Sequence, residues 1–190
     1  MGIAHDLAYE FLRPRAIGNE CLDVGCRDAD WPIWLAQQGF NVTGLDIDED
    51  ACTRLQERAI GFNVLAYPGD ARALPFGDNV FNCVTAVWCI QHILDDTDIL
   101  AYQECARVLK PGGRLLLVQS HAQGETRFDY ERLDPQRINS TRDVFLRIVQ
   151  PTGLILCGIE SFVYDYYTNI GHYESLERSN AICLHLEKPL

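Results

Sequence analysis

Positive charge is what this chain has least of: 16 lysines and arginines face 27 aspartates and glutamates, giving a net charge of −11 and an isoelectric point near 4.8. Nucleic acids and anionic membrane surfaces both require a basic patch, so neither is expected as a partner. The richest basic stretch, Arg127 to Arg147, is interleaved with Glu125, Asp129, Glu131, Asp134 and Asp143 and reads as a charge-balanced, solvated segment. Long apolar runs are also missing. Leu115 to Val118 and Val84 to Ile90 fall far short of the roughly 20 residues that cross a bilayer. The amino terminus shows no signal peptide, and although the chain begins Met-Gly, Asp6 stands where a myristoylation signal needs Ser or Thr. No Cys-x-x-Cys pair occurs, and no His and Cys share zinc-ligand spacing, which argues against a metal. The eight cysteines lie mostly within apolar runs and read as reduced core residues of a cytoplasmic protein.

What is present is an organising stretch from Glu20 to Asp46. Cys21 to Val24 forms a short apolar strand that ends at Gly25. Asp30 suits a helix N-cap, Pro32 a first helical turn, and Gly39 the left-handed position that ends a helix. Phe40, Val42 and Leu45 then resume a strand that finishes on Asp46. Two strands joined by so short a helix are parallel, which puts the Gly25 turn at their carboxyl edge, where open α/β sheets bind ligands. Gly25 has no Cβ to keep a ligand away from the backbone. Asp46, 21 residues further on, can accept hydrogen bonds from both hydroxyls of a ribose. An ordinary strand-helix-strand unit with a turn glycine would share these features.

A dinucleotide fingerprint, G-x-G-x-x-G, needs glycines at positions 27 and 30, where the chain has Arg27 and Asp30; that argues against NAD. The stretch instead resembles motif I of the class I S-adenosylmethionine-dependent methyltransferases, D/E-x-G-x-G-x-G. Asp23 and Gly25 match, Cys26 fills the variable position, and Arg27 and Ala29 replace the second and third glycines. The run GDARALPFGDNVFNCV, from Gly69 to Val84, resembles the family's next region, with Asn82 in place of its usual aspartate. RVLKPGGRLLLV, from Arg107 to Val118, resembles its later landmark: a helix end, a Lys-Pro-Gly-Gly turn and the fifth strand.

The resemblance implies a Rossmann-like, doubly wound seven-stranded sheet, mostly parallel, with the last strand antiparallel between the fifth and sixth. It covers residues 17 to 120 closely and 139 to 188 by pattern. With 190 residues and 47% hydrophobic composition, the chain fits one domain, 1–190. Segments 122–139 and 165–179 are expected insertions on the substrate side, the second holding Tyr166, Tyr167, His172 and Tyr173. A helix over residues 1 to 16 would cover the sheet or close over the cofactor, with Arg13 or Arg15 available to a carboxylate.

By the same resemblance the cofactor is S-adenosyl-L-methionine. Its expected contacts are Asp23, Gly25, Cys26, Arg27, Asp46, Ile47, Asp70, Ala71, Val87 and Trp88. Asp70 would take the adenine amino group, the Ala71 N–H a ring nitrogen, and Val87 and Trp88 would stand beside the sulfonium. The expected activity is methyl transfer to a small-molecule acceptor, an amine, phenol or carboxylate. A base is needed only for a protonated nucleophile, and His121 and His92 are the candidates, with inert histidines the competing explanation. Two other readings stay open: a binding protein without catalysis, and an enzyme using a modified S-adenosylmethionine whose extra anion meets Arg27.

Overall fold

A computed structural model describes residues 11–12, 18–27, 29–93, 97–120, 141–170 and 173–190. Four strands and two helices come first, with no helix between the last two strands. They are β1 (Glu20–Val24), α1 (Asp30–Gln37), β2 (Asn41–Asp46), α2 (Glu49–Arg58), β3 (Val64–Pro68) and β4 (Phe81–Val87). A 3₁₀ turn, Ile90–His92, leads toward α3 (Asp98–Val108) and β5 (Leu109–Ser120). Then come α4 (Thr141–Val144), a π turn (Phe145–Val149), α5 (Gln150–Thr152), β6 (Ile155–Ile170) and β7 (Tyr173–Glu187). The seven strands form one sheet in the order β3-β2-β1-β4-β5-β7-β6, parallel from β3 to β5, with β7 antiparallel to both neighbours. This is the expected doubly wound topology.

Strand alternation divides the core between the two faces. Leu22, Val24, Val84, Ala86, Leu115 and Leu117 pack with Ala101, Tyr102 and Cys105 of α3 and with Val144 and Ile148. Cys21, Val42, Cys83, Leu116 and Val118 face the other way, against Leu35 of α1, with Leu12. A third cluster, Cys26, Cys52, Leu55, Ala59 and Ala66, seats α2. All eight cysteines are free thiols, as expected for a reduced core, although Cys157 is exposed.

Several boundaries differ from expectation for identifiable reasons. Asp30 is the first helical residue of α1 and not its cap; Ala29 holds that place at φ 67° with no side-chain cap bond. Asp30 pairs instead with Arg58 of α2, and its negative charge still favours the positive end of the helix. Asp48 caps α2, accepting from the Asp50 N–H at 2.9 Å. The Lys-Pro-Gly-Gly segment is not a turn outside the sheet. Leu109 already pairs with Phe81, four residues then bulge past Asn82, and Arg114 rejoins opposite Cys83. Gly113 permits this, because a Cβ there would lie 2.7 Å from the Lys110 carbonyl oxygen and 3.0 Å from that of Asn82. Asn82 Oδ1 accepts from the Glu20 N–H and the Lys110 ammonium, so it knits β1, β4 and the bulge at the amino edge of the sheet.

At the other end, β6 and β7 pair from Ile155↔Glu187 to Ile170↔Tyr173, so the stretch expected as an insertion at 165–179 is largely continuous ladder. The helical segment before it carries a π turn ahead of Pro151. Proline lacks an N–H and its ring crowds the carbonyl four residues back, Arg147, which the wider turn accommodates. His121, the segment 122–139 and most of the helix expected over residues 1 to 16, including Arg13 and Arg15, lie outside the described residues.

Candidate cofactor site

The site is built where β1 and β2 end. The chain leaves β1 in a turn whose Gly25 and Cys26 N–H groups both donate to the Leu45 carbonyl, at 2.7 and 3.2 Å. One residue on, the Arg27 N–H donates to Asp46 Oδ2 at 3.0 Å, while the Asp48 N–H donates to Oδ1 at 3.0 Å. Asp46 therefore fixes the turn after β1 and the entry to α2 together. Each oxygen of an ionised carboxylate has room for about two donors, so both retain acceptor capacity toward the cavity. The Gly69 N–H bonds the Asp46 carbonyl at 2.8 Å and brings the loop after β3 alongside.

Arg27 and Ala29, which occupy the places of the second and third motif glycines, have φ of 20° and 67°. The turn thus keeps left-handed backbone at both positions without glycine, at a cost that non-glycine residues bear only where their surroundings hold them. Trp88 stands across the cavity at φ 56°, its N–H bonded to the Val118 carbonyl. Strained backbone therefore borders the cavity on two sides.

The cavity has a volume of about 570 Å³ and is lined by Val24, Gly25 and Arg27 and by residues 45–48, 69–72, 88–89 and 92–93. Of the expected contacts, Gly25, Arg27, Asp46, Ile47, Asp70, Ala71 and Trp88 are on its wall, as is His92. Three are not. Val87 turns to the α1 face with Leu116 and Val118, since adjacent strand residues point opposite ways. Cys26 packs under α2 in the third cluster, its thiol pushed up by burial. Asp23 is buried at 2% exposure and accepts from Thr85 Oγ1 at 2.6 Å; that hydroxyl in turn accepts from Trp31 Nε1 at 3.2 Å. Burial pushes the Asp23 carboxyl up to about 7 and the Asp46 charge adds to the shift, with the Thr85 bond opposing it.

Gly25, on the cavity wall, also meets a packing demand. A Cβ on it would meet the Cβ of Cys89 at 2.5 Å, so the glycine makes room for Cys89. Cys89 was not legible as a site residue, nor were Leu45, Asp48, Arg72 and Ile93. Its thiol is pushed up, first by burial and then by the Asp23 and Asp46 charges, and so stays protonated near neutrality. Asp70 is held by Arg72, whose Nη2 lies 2.7 Å from Oδ2 and whose Nε and backbone N–H reach Oδ1 at 3.0 and 2.9 Å. Those bonds hold the Asp70 carboxyl below the usual carboxylate range.

Residues 21–113 match the family model described as a methyltransferase domain. That segment, just under half of the chain, is similar to a methyltransferase domain, in keeping with the resemblance to the class I S-adenosylmethionine-dependent methyltransferases. Demethylmenaquinone methyltransferases of Listeria welshimeri and Staphylococcus haemolyticus are 38% and 36% identical over 109 and 108 residues. Those alignments cover 54% and 55% of this chain but only 45% and 44% of the relatives, so the chain matches less than half of their length. Among solved structures, a SAM-dependent methyltransferase from Methanosarcina mazei superposes with a TM-score of 0.76 at 20% identity, over 97% of each chain. The [4+2]-cyclase SpnF does so at 0.73 and 19% identity, over 98% of this chain and 80% of its own. At that identity both show the fold alone.

S-adenosyl-L-methionine is the cofactor that this likeness implies, and the cavity fits it. Its volume lies within the roughly 300–1,000 Å³ of small-molecule sites. Asp46 turns its carboxylate to the cavity wall, and Ile47 beside it, 73% exposed, adds apolar surface. Among the described residues no group of three or more His, Cys, Asp or Glu could hold a metal, and no helix is long and apolar enough to cross a membrane.

Proposed function

We propose that this protein transfers the methyl group of S-adenosyl-L-methionine to a small organic acceptor in the cytoplasm. The observation that carries the reading is the convergence of the Gly25 turn, the Asp46 carboxylate and the Asp70–Ala71 loop on one cavity at the carboxyl edge of the sheet. Asp46 would hold the ribose, Ile47 and the Ala71 backbone the base, and Arg27 with the turn after β1 the amino-acid end.

The bound sulfonium supplies a methyl group already activated for attack. The protein's own task is to align a nucleophile with it and exclude water. Trp88, Cys89, His92 and Ile93 line the side away from β2 and β3, next to the expected acceptor. His92 is the cavity's own candidate for taking a proton from a phenol or amine. Cys89, held protonated, is not a competing nucleophile.

The relatives' name adds a demethylated quinol to the acceptors to be tried. Incubation with methyl-labelled S-adenosylmethionine and a panel of phenols, amines, carboxylic acids and a demethylmenaquinol tests the reading. Label in one small product, reduced by His92→Gln, is the expected result. Saturable cofactor binding without label transfer to any class would replace it with a binding role, or with another chemistry on this fold.

A further inference from the structure

We propose that two copies of this chain associate through β6, strand against strand about a twofold axis, into one continuous sheet. The sheet has two edges, β3 and β6, and among the described residues neither pairs with a further strand. They differ in what guards them. Soluble proteins blunt an edge by keeping it short or by placing proline and lysine on it. β3 has 5 residues and ends on Pro68. β6 has 16, with no proline, lysine or arginine among them, and it leaves Ile155 and Ile159 exposed.

β6 also runs beyond its support. β5 ends at Ser120, opposite Ala181 of β7, so from Val163↔Asn180 to Ile170↔Tyr173 the β6–β7 ladder continues with no third strand. This arm extends about 26 Å past the carboxyl edge of the sheet, the edge that carries the cavity. A lone two-stranded ladder is marginal in water, whereas three or more strands hold. The arm of a second copy, laid alongside, makes four.

The register follows from pairing rules. Opposite residues of an antiparallel pair lie on one face, so the twofold passes through a position that meets its own copy. An axis between Phe162 and Val163, which would set Glu160 against Asp165, is excluded because it brings unlike faces together. With the axis at Val163, Phe162 stands opposite Tyr164, Ile159 opposite Tyr167, Glu160 opposite Tyr166 and Ser161 opposite Asp165. No like charges then share a rung. An axis at Phe162 would set Ile159 against Asp165.

The irregularity between Leu156 and Gly158 breaks the alternation, which limits the shared ladder to Gly158 through Thr168. That length is about 36 Å, and a sheet occupies about 10 Å in depth, so the two copies together cover roughly 700 Å² of flat section. Permanent complexes bury more than roughly 1,200 Å², and β3 would supply less than half of what β6 does. The dimer is therefore reversible, held by about ten backbone hydrogen bonds. A net charge of −11 on each copy opposes it at low salt.

Light scattering after size exclusion of the full chain, from low to high micromolar concentration, tests this without any ligand. The mass should rise from monomer to dimer with concentration, and more readily as salt is added. Val163→Cys in a Cys157→Ser background should form a covalent dimer with glutathione disulfide, since residues meeting at the axis lie about 4.5–5.5 Å apart at Cα. Cys157, opposite Asn169, should not cross-link in the wild type. Ile159→Lys with Tyr167→Lys sets like charges opposite each other twice, and should give a monomer with the circular dichroism of the wild type. A wild type that stays monomeric throughout would overturn the proposal. So would a dimer that survives the double lysine change, or one in which Val163→Cys does not cross-link.

Discussion

Gly25 and Cys89, 64 residues apart in sequence, meet so closely that a Cβ on the glycine would lie 2.5 Å from the cysteine Cβ and nearer still to its sulfur. The glycine also sits at φ 82°. Gly25→Ala therefore meets two penalties, a backbone one and a steric one, together about 2–4 kcal/mol. A double-mutant cycle separates them by urea unfolding. Cys89→Gly should recover the steric share in the Gly25→Ala background and leave the backbone share; full recovery would mean that the positive φ carries no cost.

Asp23 gives the protein an unusual pH dependence. Its folded carboxyl titrates at about 7 against an ordinary value of 3.8, so between those limits the folded state holds a proton that the unfolded state has lost. The sign follows from linkage: stability attributable to Asp23 is greatest below about pH 4 and falls as pH rises through 7, by at most on the order of 4 kcal/mol. His185, whose pKa is lowered by burial, acts oppositely below about pH 6.5, so the informative quantity is the difference from a variant. Asp23→Asn, which can still accept from Thr85, should be more stable than wild type at pH 8 by urea unfolding, with the advantage shrinking at pH 5. An advantage that does not depend on pH would exclude the proton as its source.

Gly113 carries fold and no chemistry. Gly113→Ala forces a Cβ against the Lys110 and Asn82 carbonyl oxygens at the amino edge, away from the cavity. It should cost about 1–3 kcal/mol in thermal or urea unfolding, while the affinity of the protein that remains folded for S-adenosylhomocysteine stays within about twofold of wild type. A selective loss of affinity would tie the bulge to the site.

Asp98, nearly buried at the start of α3, is paired with Arg147 on the π turn. Asp98→Ala leaves a largely buried guanidinium without that partner and should destabilise by about 2–4 kcal/mol. Replacing both residues by Leu and Met should cost less than the single change, as measured by urea midpoints.

The sequence made legible what local chemistry dictates. The β1–α1–β2 crossover, Gly39 past the end of α1 and the antiparallel last strand all follow from spacing and turn residues, or from family resemblance. Relationships across distance stayed hidden. Nothing around Gly25 announces Cys89, because the contact arises only when β1 and β4 lie side by side. Val87 and Cys26 are expected at the cofactor from the family resemblance, yet strand alternation and the packing of α2 turn them from the cavity wall. The altered motif I was legible as a departure, but not that Arg27 and Ala29 keep positive φ and so preserve the turn. Arg72 was invisible as a site residue because its role depends on how its side chain folds back onto Asp70.

Calorimetric titration with S-adenosylmethionine and S-adenosylhomocysteine, with NAD as control and repeated on Asp46→Ala, tests the central claim most directly. Both sulfur nucleosides should bind saturably and NAD should not. The substitution, which removes two backbone anchors as well as the ribose acceptors, should weaken both by more than about tenfold in protein shown to be folded by circular dichroism. Failure of either nucleoside to bind at millimolar concentration, or binding indifferent to Asp46→Ala, would contradict the account.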